Sequence, residues 1–134
     1  TPQTMQDAPH YENVVNEVIS SLSERINAAK KAGIRTEQII LDPGIGFGKS
    51  TQHDLALINH LEQFCKQGFP VLLGASRKKF MQSYVRNTDD DSLSIATAAI
   101  TALAVTAGVH IIRVHDVLAN RQALDLAWAI KQAN

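Results

Sequence analysis

Val15, Val18, Ile19, Leu22, Ile26 and Ala29 recur at steps of three and four residues, so the stretch from Tyr11 to Ala32 carries one apolar stripe and predicts a helix that Gly33 ends. Gln38 to Leu41 is a short apolar run leading into Asp42-Pro43-Gly44, which reads as a buried strand stopping at a glycine-rich loop. Helical spacing returns from Thr51 to Lys66 through Leu57, Ile58, Leu61, Phe64 and Cys65, with Gly68 just beyond. Pro70 then opens a second strand, Val71 to Gly74, and the basic run Arg77-Lys78-Lys79 begins another helical stretch. An alanine- and threonine-rich helix follows from Ser92 to Ala107. After it come a third strand, Val109 to Val114, and a closing helix, Leu118 to Lys131, with Leu124, Ala127 and Trp128 on its stripe.

The order is therefore αβαβαβα, and strands separated by helices pair in parallel through right-handed crossovers, which makes the fold class α/β. Two arrangements satisfy it: an open doubly wound sheet, and a barrel whose loops gather at the carboxyl ends of its strands. In each unit the distinctive polar residues directly follow the strand: Asp42, then Ser76 to Lys78, then Arg113 and His115. A barrel brings all three ends to one face, so the pattern favours the barrel.

Composition narrows the setting. With 45% hydrophobic and 19% charged residues, 134 residues are enough for one unit with a real core. The 13 basic and 13 acidic residues balance, so no positive field favours nucleic acid. Cys65 stands alone, which excludes an internal disulfide and a thiolate-rich zinc site and fits a cytoplasmic location. Thr1 to Tyr11 lacks the pattern of a secretory signal and reads as a loop entering a helix. Ser92 to Ile112 has no Asp, Glu, Lys or Arg and is long enough to span a bilayer. Its alanine and threonine content, and the turn from helix to strand at Gly108, instead indicate a helix packed on a sheet or a partner, with no membrane role.

The loop from Asp42 to Ser50 is neither of the phosphate loops it superficially resembles. A Walker A motif needs glycine where Pro43 stands, and the dinucleotide fingerprint G-x-G-x-x-G is here G-x-G-x-G. What remains is a carboxylate at a strand end, fixed by a proline and flanked by glycines that permit close approach. Asp42 could accept two parallel hydrogen bonds from an amidine-like edge such as that of a pterin, with Phe47 as an aromatic wall. An isolated D-P-G is more often a simple turn capped by its aspartate, and Phe47 is as readily a core residue.

Gly74-Ala75-Ser76-Arg77-Lys78 sets a hydroxyl and two cations at a strand-to-helix junction, where a helix start would favour anions. Lys78 suits a ring carbonyl or nitrogen, and the planar fork of Arg77 suits a carboxylate. In Arg113-Val114-His115-Asp116 the alternation puts Arg113 and His115 on one face, a pair suited to a pyrophosphate. Taken singly, a basic run is usually a solvated face and a histidine usually structural.

Together, Leu41 to Lys49 (LDPGIGFGK), Gly74 to Lys78 (GASRK) and Arg113 to Asp116 (RVHD), in that order, resemble the dihydropteroate synthase family over nearly the whole chain. The resemblance implies a partial (β/α)8 barrel, roughly strands six to eight with their flanking helices. Such enzymes condense 6-hydroxymethyl-7,8-dihydropterin pyrophosphate with p-aminobenzoate to 7,8-dihydropteroate in folate synthesis, and sulfonamides compete for the p-aminobenzoate site. It implies that Asp42 and Lys78 grip the pterin, with Gly74 and Phe47 lining its pocket. Arg113 and His115 would hold pyrophosphate, and Ser76 and Arg77 would lie near p-aminobenzoate. Magnesium is implied too, through an asparagine not in this chain, as is a homodimer through the C-terminal helices. Lys79 departs from the serine of many relatives. A whole barrel needs about 250 residues, so the expectation is the C-terminal half of one, inactive alone and needing its sheet edges paired or covered. The alternatives are the pterin module of a corrinoid methyltransferase, against which Ser76-Arg77-Lys78 and the Arg113 and His115 pair argue because a methyl-carrying folate has no pyrophosphate to bind, and an inactive structural half-barrel.

Overall fold

Asn13 opens the first helix by accepting the backbone N–H of Asn16 on its side chain at 3.1 Å, and α1 runs Val14–Lys31. It ends as the glycine predicts: Gly33 takes a left-handed φ of 97°, and the N–H groups of Gly33 and Ile34 reach back to Lys30 and Ala29. The structure, a computed structural model, describes residues 13–134, so the expected entry loop and the start of the helix at Tyr11 lie outside the described residues.

The first strand is reduced to one rung. Thr36–Gln38 forms a short 3-10 turn, and only Leu41 bridges, in parallel, to Val71. Leu41 N–H donates to Pro70 O and Leu72 N–H donates to Leu41 O, both at 2.8 Å. The helix expected over Thr51–Lys66 is two: α2 (Thr51–Asn59), capped by Ser50 on the N–H of His53, and α3 (Leu61–Cys65), separated by His60 at φ −119°, ψ 30°. The break keeps Leu57, Leu61 and Phe64 completely buried, each worth about 1.5–3 kcal/mol of burial.

β1 (Leu72–Leu73) pairs in parallel with β2 (Ile111–Ile112), in the register Leu72 with Ile111 and Leu73 with Ile112. No α-helix begins directly at Arg77. Lys79–Ser83 is a 3-10 turn of five residues, too short to offer the helix-start field expected for anions. Asp89 caps α4 (Asp90–Ala107), which starts two residues before the alanine-rich stretch and ends at left-handed Gly108. Asp116 caps α5 (Val117–Gln132) by accepting the N–H of Ala119.

The α/β class and parallel pairing are therefore as read from the sequence. Alternation along the strands decides what faces what. Leu41, Val71 and Leu73 turn to one side and are buried with residues of α1, α2, α3 and α4 in the core. Ile40, at 52% exposure, and Ile111, at 38%, mark the other side, which the helices leave uncovered. α5 packs on α4, joined by a buried bond from Thr101 Oγ1 to Asn120 Oδ1 at 2.6 Å. Among the described residues no helix is long and apolar enough to cross a membrane.

Candidate functional site

Parity along the strands carries Asp42, Gly74 and Arg113 to the face that Ile40, Leu72 and Ile111 share, each just beyond its strand's carboxyl end. The three sequence blocks thus meet on one rim. Asp42 Oδ1 accepts the Gly44 N–H at 2.9 Å, the turn-capping geometry, and the carboxylate is otherwise exposed. The turn-capping reading of D-P-G is what the geometry shows, and it occupies one carboxylate oxygen of an exposed side chain.

The loop that follows coils through Gly44, Gly46 and Gly48 at φ values of 75°, 83° and 66°, where only glycine is unstrained. Such a path turns several carbonyls inward, and two lysines collect them. Lys49 Nζ donates to Gly44 O and to Phe47 O, each at 2.8 Å, while Lys78 Nζ donates to Ile45 O. Lys78 Nζ also lies 4.4 Å from the centroid of Phe47, so the expected wall and the expected cation are stacked on each other. From below, the buried Asp54 accepts the Gly46 N–H at 2.8 Å.

Burial depresses Lys49 and Lys78 below the ordinary lysine range. For Lys78 the guanidinium of Arg113 adds to the effect, and Asp42 and Asp54 oppose it. Burial lifts Asp54 above the usual carboxylate range against the pull of the Gly46 N–H, Lys49, Lys78 and His53. The sequence assigns no role to Asp54, or to Lys49 beyond its place at the end of the Leu41 to Lys49 block. Their only signal there is position: a lysine closing the glycine run, and an acidic residue in the first turn of the next helix.

At the other end of the rim, Arg113 lies across Gly74 so closely that a Cβ there would sit 2.5 Å from its NH2 group. Gly74 is thus a seat for the arginine as well as part of the lining of the adjacent cavity. Ser76 Oγ accepts the His115 backbone N–H at 3.1 Å and lies within hydrogen-bond distance, 2.7 Å, of His115 Nδ1, which leaves Nε2 on the far side of the ring. Arg113, His115, Ser76, Lys78 and Gly74 surround a cavity of about 150 Å³, a cationic cup of phosphate-like size. Arg77 turns elsewhere. At φ 55° it donates its N–H to Thr97 Oγ1 and its Nε to Ser94 Oγ, both at 3.1 Å, and NH1 lies 3.6 Å from Asp90, so its fork is engaged by α4 rather than by the cup.

This chain is similar to named proteins of one kind. It is 43% identical over 132 residues to a dihydropteroate synthase of Haemophilus influenzae, covering 98% of this chain and 48% of that protein. A Mycobacterium leprae dihydropteroate synthase is 41% identical over 128 residues, covering 92% and 45%. Among solved structures, the Yersinia pestis dihydropteroate synthase with a sulfonamide drug complex superposes with a TM-score of 0.92 at 30% identity, covering 98% of this chain and 47% of that one. The Xanthomonas albilineans dihydropteroate synthase in complex with 7,8-dihydropteroate gives 0.88 at 40% identity, covering 94% and 48%. The chain spans about half the length of the relatives it matches. The model of the pterin binding enzyme family matches residues 1–115, and the chain belongs to that family.

Proposed function

We propose that these residues form the pterin- and pyrophosphate-holding part of a cytoplasmic dihydropteroate synthase, folded as strand units six to eight of a (β/α)8 barrel. The observation that carries the reading is the meeting of Asp42, Lys78 and the Arg113–His115 pair on one face at the carboxyl ends of adjacent parallel strands. Helices packed on one side of the strands, with the Ile40–Ile111 side left open, support a barrel wall over a doubly wound sheet. Solved relatives carry 7,8-dihydropteroate and 4-aminobenzoic acid, the product and one substrate of that condensation.

In this reading Asp42 accepts the amino and ring N–H of the pterin, and Lys78 leaves Ile45 O for a pterin carbonyl or ring nitrogen. Phe47 and Gly74 bound the pocket. Arg113 and His115 take the charge of pyrophosphate as the carbon–oxygen bond breaks, and Asp42 stabilises the cationic pterin that the aryl amine attacks. Ser76 stands on the rim where p-aminobenzoate arrives. Arg77 reaches the p-aminobenzoate carboxylate by giving up Asp90, a 3.6 Å contact to a largely exposed partner that is weak enough to exchange. The residues present do not fit magnesium. Among the described residues no three metal-ligating side chains gather, Asp42 and Asp54 each turn to a backbone N–H, and Lys49 and Lys78 lie near both. No step here runs through the ion.

A homodimer through α4 and α5 completes the proposal, supported by the exposed Ile95, Leu103, Leu126 and Ile130. The central test is calorimetric titration of this chain with the dihydropterin pyrophosphate beside Asp42→Asn. Saturable binding that weakens about tenfold, or about 1.4 kcal/mol, is expected. Heat signals that never saturate with either protein would overturn the reading.

A further inference from the structure

Asp54 is the one carboxylate among the described residues that is buried, at 3% exposure. Holding a single backbone N–H does not require a charge, because an amide oxygen of the same shape accepts that bond as well. A buried carboxylate needs compensation, and here it is supplied from three segments: Lys49 from the glycine loop, Lys78 from the segment after β1, and His53 from its own helix. The arrangement also has a stability cost. Because burial holds Asp54 above its unfolded value, its contribution to stability is present below that value and fades as pH rises through the folded one. Lys49 and Lys78 are held below their unfolded values, so theirs is present above those values and lost as pH falls through the folded ones. Burial thus disfavours the charged form of each of the three, yet all three line one cavity beside the glycine loop, which argues that the cluster exists for the site.

The geometry says what it does there. Gly46, the residue Asp54 holds, lies against Lys78, with its ideal Cβ position 3.0 Å from the lysine Cδ. Lys78 is pressed by Arg113 and balanced only by Asp42 and Asp54 among the acids near it. When a pterin engages Asp42, Asp54 is the counter-charge that stays in the protein. The carboxylate also floors a cavity of about 650 Å³ between the glycine loop and the 3-10 turn, into which Lys49, Lys78 and Lys79 all bring charge.

Resting on the pterin reading above, we infer that Asp54 is a positioning residue for that site: it fixes the loop bearing Phe47 through Gly46 and supplies the buried counter-charge of Lys49 and Lys78. Asp54→Asn separates the two parts, since it keeps the hydrogen bond and removes the charge. The experiment is a pH titration of 13C-lysine-labelled chain by NMR, run beside calorimetry with the dihydropterin pyrophosphate.

In Asp54→Asn the Lys78 and Lys49 titration midpoints move to lower pH, and the alkaline loss of pterin affinity moves with them. The thermal midpoint near neutrality does not fall. In Asp54→Ala, which removes the loop bond as well, affinity drops on the order of tenfold at every pH. Lysine midpoints unchanged in Asp54→Asn overturn the inference even if Asp54→Ala fails to fold. If the unaltered chain binds no pterin, the functional reading fails, and the lysine midpoints still decide whether Asp54 is their counter-charge.

Discussion

The glycine loop after Leu41 satisfies its own polar groups, whereas the end of β2 holds its cations ready for something else. In the loop, Lys49 takes two carbonyls, Lys78 a third and the ring of Phe47, and Asp54 the Gly46 N–H. At β2, Arg113 rests on a glycine with no side chain to grip, and His115 leans on Ser76 with its second nitrogen outward from that bond. A ligand at the first end must displace internal bonds before making its own. At the second end it meets charge already in place. On the proposed reading, the two ends would divide the work of recognition, with shape discrimination where exchange is needed and fast electrostatic capture where it is not.

Removing the capture end should have the largest effect. Arg113→Ala is expected to weaken binding of the dihydropterin pyrophosphate about a hundredfold by calorimetry, in line with loss of a bidentate charge-assisted contact, while inorganic pyrophosphate binding disappears. Retained pyrophosphate binding in that variant would erase the contrast between the two ends. Gly74→Ala comes next. Its methyl occupies the seat of the guanidinium, and because a flexible side chain can move aside, affinity should fall about tenfold with the melting temperature within a few degrees of the parent. An unmoved affinity would show that Arg113 works from another pose. The smallest effect on the site should come from Ala99→Glu on the exposed side of α4. It is expected to abolish self-association in sedimentation while leaving pterin affinity within about twofold; a chain that sediments identically with and without the glutamate would remove the dimer proposal.

What could be read from the sequence divides along similar lines. The stripe Val15, Val18, Ile19, Leu22 and Ile26 packs on the core as its spacing requires, because helical period is a local property. Asp42, Gly74 and Arg113 share a face because strand alternation is equally local. The break at His60 was not legible, since apolar spacing continues through it and only tertiary packing of Leu57, Leu61 and Phe64 shows the change in path. Nor was the 3-10 turn after Lys78, where apolar Phe80 and Met81 mimic a helix start. Asp54 and Lys49 gain their meaning from a loop folded back on itself, and nothing in residue type announces that Lys49 will hold Gly44 and Phe47.

Arg77 is the one non-glycine residue with a left-handed backbone among those described, and two hydroxyls of α4, on Ser94 and Thr97, hold it there. The helix therefore works as a jig for the loop between Ser76 and Lys78. Inserting one residue in α4 ahead of Ser94 would swing both hydroxyls about 100° around the axis and release the strained turn. Loops usually absorb gains and losses of length, but this one has its dimensions set by a helix, so the spacing from Asp89 to Thr97 governs the path of the chain after β1.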